Sequence, residues 1–167
     1  MRRLLFILSL FAIVFYNVSI LFAAEDFDEL KEWEHQIYVG YKYYTEYKES
    51  SATLGFEAKN RIGYPFLLGF ALGVSYSEND VLSAEASIPF AVRVPIADKV
   101  RIDVSVRPGV MYITNLENKA DKVSPMIGGC INGMYFYKTG RSIGLTACYT
   151  QATSSLNNVI AAITIGF

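Results

Sequence analysis

Strict two-residue alternation is the feature that most limits what this chain can become. It is clearest in residues 157–167, where Val159, Ala161, Ile163, Ile165 and Phe167 fall on one side and Ile160, Ala162, Thr164 and Gly166 on the other. Successive side chains of a strand leave opposite faces, so one face here is large and apolar and the other is small. A helix would mix the two sets. A strand of this length also suits a tilted crossing of a bilayer.

The same rhythm recurs from Gln36 onward and predicts eight strands. The first, 36–48, sets Ile37, Val39, Tyr41 and Tyr43 against Tyr38, Gly40, Lys42 and Tyr44. The second spans about 51–62; a two-residue turn at Glu49-Ser50 would place Lys42 directly opposite Glu57. The third, 65–77, carries Phe66, Leu68, Phe70, Leu72 and Val74 against Leu67, Gly69, Ala71 and Gly73. Leu82 to Val92 continue the apolar face of the fourth strand, and a turn at Pro95–Asp98 leads to the fifth, 99–112. A polar connection over 114–122 precedes the sixth strand, 123–137, whose apolar face carries Ile127, Ile131 and Tyr135. The seventh covers 141–151, and a second polar connection, 152–158, leads into the last.

Alternation alone fits both a membrane barrel and a soluble calyx, which differ in the face turned inward. The smaller face is built from Gly, Ser, Ala and Thr, interrupted by Lys42, Glu57, Glu85, Arg93, Arg101, Asp103 and Arg107. An eight-stranded barrel has an interior just wide enough to be filled by its side chains, so small residues and mutually paired charges suit its inside. The apolar face, with its tyrosines and phenylalanines, suits lipid. The seven charges then form a filled, self-satisfying network; lining a narrow pore is the alternative use for them.

The N-terminus has the anatomy of a secretory signal over 1–24: basic Arg2-Arg3, an apolar run, and small Ala23-Ala24 before Glu25-Asp26. Cleavage would leave 13 basic against 16 acidic residues, a net charge of −3, with no basic stripe for nucleic acid. Residues 25–35 read as a periplasmic leader, a tether or a short amphipathic helix on Phe27, Leu30 and Trp33. The barrel proper is expected over 36–167.

Two constellations bear on chemistry. Cys130 and Cys148 flank the turn at 138–140, and pairing Tyr137 with Arg141 puts them opposite one another at a closely spaced site. They form either a cross-strand disulfide or two buried thiols, since one register slip separates them. His35 is the single histidine. With one histidine and two cysteines the chain offers a poor metal ligand set, and no cofactor is expected.

In pattern, residues 36–167 and the terminal Phe167 resemble the small eight-stranded bacterial outer-membrane barrels of the outer membrane protein A and outer membrane protein X type. The resemblance implies an all-β, antiparallel, up-and-down transmembrane β-barrel in the cell outer membrane of a Gram-negative envelope. It implies contact with outer-membrane lipid, and recognition by the barrel-assembly machinery through the strand ending at Phe167. Long connections outside and short ones in the periplasm fit an N-terminus in the periplasm. The expected role is non-enzymatic, structural or surface-interacting, with no assigned catalytic residue. A lipid A-modifying enzyme is the alternative, but the His-x-Ser-Asn arrangement of the lipid A deacylase barrels does not occur here. A soluble periplasmic calyx and a porin-like narrow pore are the others.

Overall fold

The computed structural model describes residues 33–167, apart from 64, 116–119, 139–140 and 154–155. The signal peptide expected over 1–24 and most of the leader lie outside the described residues. Nine segments make one closed antiparallel sheet: β1 (Trp33–Tyr44), β2 (Glu49–Gly63), β3 (Phe66–Ser77), β4 (Val81–Ser87), β5 (Phe90–Ala97), β6 (Val100–Asn115), β7 (Ala120–Lys138), β8 (Arg141–Ala152) and β9 (Asn158–Gly166). Both β4 and β5 lie between β3 and β6, so they share one position in an eight-stranded barrel. The seam is β1 against β9, from Gln36 opposite Gly166 to Tyr44 opposite Asn158.

The split of the fourth strand has a local cause. Pro89 has no N–H to give a ladder, and a proline within a sheet interrupts it. The neighbours compensate: the Gly69 N–H donates to the Pro89 carbonyl at 3.0 Å, and the Ile88 N–H to the Pro108 carbonyl at 2.9 Å. Face parity continues across the gap, with Ser83, Ala91 and Arg93 inside and Ile88 and Phe90 outside.

Strands β1, β3, β6 and β8 finish at one rim, called here the loop rim. The barrel starts at Trp33 and ends at Phe167 on the opposite, terminal rim. At the loop rim the β1–β2 and β3–β4 connections close with Lys48 and Asp80 at positive φ of 52° and 57°. Asp80 also accepts a hydrogen bond from the Tyr76 hydroxyl.

Three boundaries differ from the sequence reading. The first turn lies at 45–48 rather than at Glu49-Ser50, so Tyr44 faces Glu49, Lys42 faces Ser51, and Glu57 faces Gln36. The expected Lys42–Glu57 pair is therefore not made. The correct register differs from the expected one by an even number of residues, which is why both side chains still point inward. The fifth and sixth strands extend to Asn115 and from Ala120, so most of the polar stretch 114–122 is strand. At the terminal rim, β5 runs through Pro95 to Ala97, leaving Asp98 and Lys99 as the turn.

The two faces are as the composition argument places them. Large apolar side chains are exposed around the outer wall, among them Val39, Phe66, Val104, Ile131, Leu145 and Ile163. The inner face carries buried Lys42, Glu57, Lys59, Arg93, Asp103 and Arg107 among serines, threonines and alanines. A calyx for an apolar ligand needs the reverse, so that alternative fails on the direction of the wall. Glycines make room for the Tyr38 ring inside the barrel. A Cβ on Gly55 or Gly73 would run into the Tyr38 side chain, which fills the space between them.

Candidate functional site: a sealed interior below a loop-rim basin

The interior charges meet across the barrel more often than along its wall. Asp103 lies at the centre of the larger group: Arg93 Nε donates to Asp103 Oδ1 at 2.7 Å and Arg93 Nη2 to Oδ2 at 2.8 Å, while Lys59 Nζ donates to Oδ2 at 2.9 Å. The far side of the Arg93 guanidinium grips Glu34, with Nη2 to Oε2 at 2.6 Å. Lys59 also lies 3.3 Å from Glu57 Oε1, an ion contact without hydrogen-bond geometry, and Arg107 Nη2 donates to Glu57 Oε2 at 2.6 Å. Six charged residues from β1, β2, β5 and β6 are thus joined in one chain.

A separate pair, Lys42 to Glu85 at 2.8 Å, spans from β1 to β4 nearer the loop rim. Between pair and cluster stand Tyr38, the cysteines and Ile160. A void of about 20 Å³ beside them has room for roughly one water. Polar links close the terminal side as well, with Asn132 donating to Gln36 at 2.8 Å. Apart from Glu34, whose side chain is 26% exposed, these charges are almost fully withdrawn from water, and such groups persist only when paired and hydrogen-bonded.

Of the seven charges singled out in the sequence, six enter these contacts. Arg101 does not: it is half-buried at the terminal rim, its guanidinium over the Phe136 ring at 4.5 Å from the centroid. Two participants were missed. Lys59 was on the correct face, two residues beyond Glu57, and parity alone could have included it. Glu34 reads from the sequence as part of the leader, but β1 begins at Trp33 and carries it into the barrel.

Cys130 and Cys148 form a disulfide, with Cα atoms 4.1 Å apart and directly opposed in the β7–β8 ladder. Both face inward and are buried. The turn differs from the expected one, with Lys138 opposite Arg141 and a register shift between Phe136 and Lys138, yet the shift restores the pairing that sets the cysteines together. His35 is on the outer face near the terminal rim, stacked on Phe56 and Phe167 with ring centroids 5.9 and 6.2 Å away. Among the described residues, no three His, Cys, Asp or Glu side chains are placed to hold a metal ion.

Above the sealed interior the barrel opens into a basin of about 460 Å³ at the loop rim. Its floor is Tyr44, Ile113 and Leu156, which rest on buried Met111, Met126 and Ala152. The Tyr44 hydroxyl is committed to Ser83 at 2.7 Å, so the floor presents ring rather than hydroxyl. Glu49, Asn79, Asp121 and Lys122 line the sides.

A closed antiparallel barrel with a packed polar inside and an apolar outer wall is a transmembrane β-barrel of the outer-membrane type. The known structures it is similar to are of that kind. Neisserial surface protein A matches at a TM-score of 0.66 and 8% identity, over 80% of this chain and 94% of that one. The N-terminal β-barrel domain of Pseudomonas aeruginosa OprF gives 0.62 and 14%, over 80% and 96%. The outer membrane enzyme PagL gives 0.51 and 12%, over 80% and 98%. At these identities the likeness is one of fold. No protein-family model and no curated protein matches the sequence.

Proposed function

We propose that this chain is a non-enzymatic outer-membrane β-barrel whose working surface is its loop rim. The observation that carries the reading is the division of the molecule along its axis. Below, charged and polar side chains from opposite walls fill the lumen and satisfy one another; above, an open basin lies at the rim opposite Trp33 and Phe167. A plugged lumen favours a structural or surface-interaction role over conduction. With the terminal rim in the periplasm, the loop rim would face outside, where a surface partner would meet it.

PagL shows that enzymes also use this fold, so the enzyme alternative turns on residues. The ring neighbours of His35 are aromatic, and the side chain faces outward, away from inward-pointing serines such as Ser142. That placement favours a packing role for His35 at the terminal rim over the role of a catalytic base.

The test is recovery in the detergent-extracted outer-membrane fraction, with boiled and unboiled samples compared by gel migration. Recovery there with a heat-dependent mobility shift is expected; recovery as a soluble periplasmic protein would refute the reading. In the same cells, lipid A from strains with and without the protein should be identical by mass spectrometry, and His35→Ala should change nothing. A lipid A species that disappears with His35→Ala would make the chain an enzyme.

A further inference from the structure

The cystine lies where no second protein can reach it once the barrel is shut. Cys130 and Cys148 are 4% and 7% exposed and point into the lumen. Along their own ladder the next inward pairs are Asn132 with Thr146 towards the terminal rim and Gly128 with Thr150 towards the loop rim. The terminal side is closed by Asn132 on Gln36 at 2.8 Å and by Thr146 on Thr164 at 2.5 Å. On the loop side, buried Met126 and Ala152 stand between the cystine and the basin. The void against the two cysteines, lined also by Tyr38, Glu85 and Arg107, is about 20 Å³. On the outside, Gly129, Ile131, Ala147 and Tyr149 surround the pair with lipid-facing wall.

Thiol–disulfide exchange requires the partner's sulfur to approach a cysteine directly, so its rate follows access as well as chemistry. A protein oxidant has no route to either cysteine through the wall or the filled lumen. The open chain offers both. Cys130 and Cys148 are 18 residues apart in one hairpin, a short loop to close, and the chain has no third cysteine to divert the pairing. We infer that the Cys130–Cys148 bond is made on the open chain by a periplasmic protein oxidant carrying an active-site disulfide, and that closure of the barrel then isolates it. One cysteine thiolate attacks the oxidant's disulfide, forming a mixed disulfide and freeing one of the oxidant's thiolates; the second cysteine thiolate displaces the other. The chain gives up two protons and two electrons, and the oxidant leaves as a dithiol. The interior is thus completed in a fixed order, the covalent step first and the ion network after it.

This inference needs the closed barrel but not the role proposed for its loop rim. Reduced chain is diluted from urea either into buffer, where it stays open, or into lipid vesicles, where closure is read by the heat-dependent gel shift. Each sample is then given oxidised protein disulfide isomerase, and the thiols remaining at intervals are counted after denaturation with a maleimide-linked polyethylene glycol. The open chain should be oxidised at least about a hundredfold faster than the closed one, whose sulfurs must wait for the barrel to open. Reduction should show the same contrast: reduced thioredoxin should remove the cystine from the open chain and leave it in the closed barrel. A reduced chain that never gives the gel shift, while the oxidised chain does, would support the same order by a stricter route. Exchange at comparable rates in open and closed protein, in either direction, would overturn the inference. Oxidised chain that gives no gel shift in vesicles would remove the barrel, and the inference with it.

Discussion

Replacing Asp103 with alanine is expected to cost the barrel about 3–5 kcal/mol, the usual penalty for removing one member of a buried ion group. Asp103 accepts three hydrogen bonds, two from Arg93 and one from Lys59, and Lys59 is almost completely buried. Without Asp103 two cations face each other in a lumen with no bulk water to screen them. Arg93 would retain Glu34 and Lys59 would retain the looser contact to Glu57, so the loss falls short of the cost of two isolated charges. The measurement is the urea midpoint of the protein refolded into lipid vesicles, read by the gel shift. Asp103→Leu combined with Lys59→Met, Arg93→Leu and Glu34→Gln should recover much of the loss, because buried ion groups replaced together by uncharged ones are often neutral. A single variant within about 1 kcal/mol of the parent, by the scale of exposed pairs, would show that these contacts do not hold the lumen closed.

The second large effect lies on the outer wall. Ile163, near the middle of β9, is 55% exposed, and Val123, near the loop rim, is 69% exposed. By exposure alone, arginine should be tolerated better at Val123 and nearly as well at Ile163. In a bilayer, depth decides: Ile163→Arg should cost about 2–4 kcal/mol and Val123→Arg about 0–1. The same vesicle unfolding assay reads both. Equal and small losses would mean that water, not hydrocarbon, bathes the wall.

These two predictions differ in how much of their basis could be read from the sequence. Ile163 faces outward by parity alone, and the same rule places Ile127, Tyr135 and Phe90 on the exposed wall, where they are found. Parity survives errors of register because turn misplacement by an even number of residues leaves each side chain on its face. It says nothing about partners. Parity and the expected turn pair Lys42 with Glu57 on a neighbouring strand, whereas its carboxylate comes from Glu85 across the lumen. Lys59 with Asp103 and Arg107 with Glu57 also join strands that share no ladder. Closure of the sheet brings those strands within reach, and closure is a property of the whole barrel that no local pattern encodes. Arg93 with Asp103 is the exception, since β5 and β6 are adjacent and their tight turn sets the pair. The basin was legible only in part. Asn115, Asp121 and Lys122 of its lining lie within the stretch that reads as a polar connection, and Glu49 lies in one that reads as a turn.

The cystine linking β7 and β8 acts as a lock on alignment. Neighbouring strands of a sheet can slide past one another, and a slip of one residue would turn Ile131 and Leu145 into the lumen and Asn132 and Thr146 out to lipid. A covalent bond between directly opposed residues forbids that exchange. Once it has formed, this hairpin carries a fixed assignment of wet and greasy sides, whatever the order in which the remaining strands find their places.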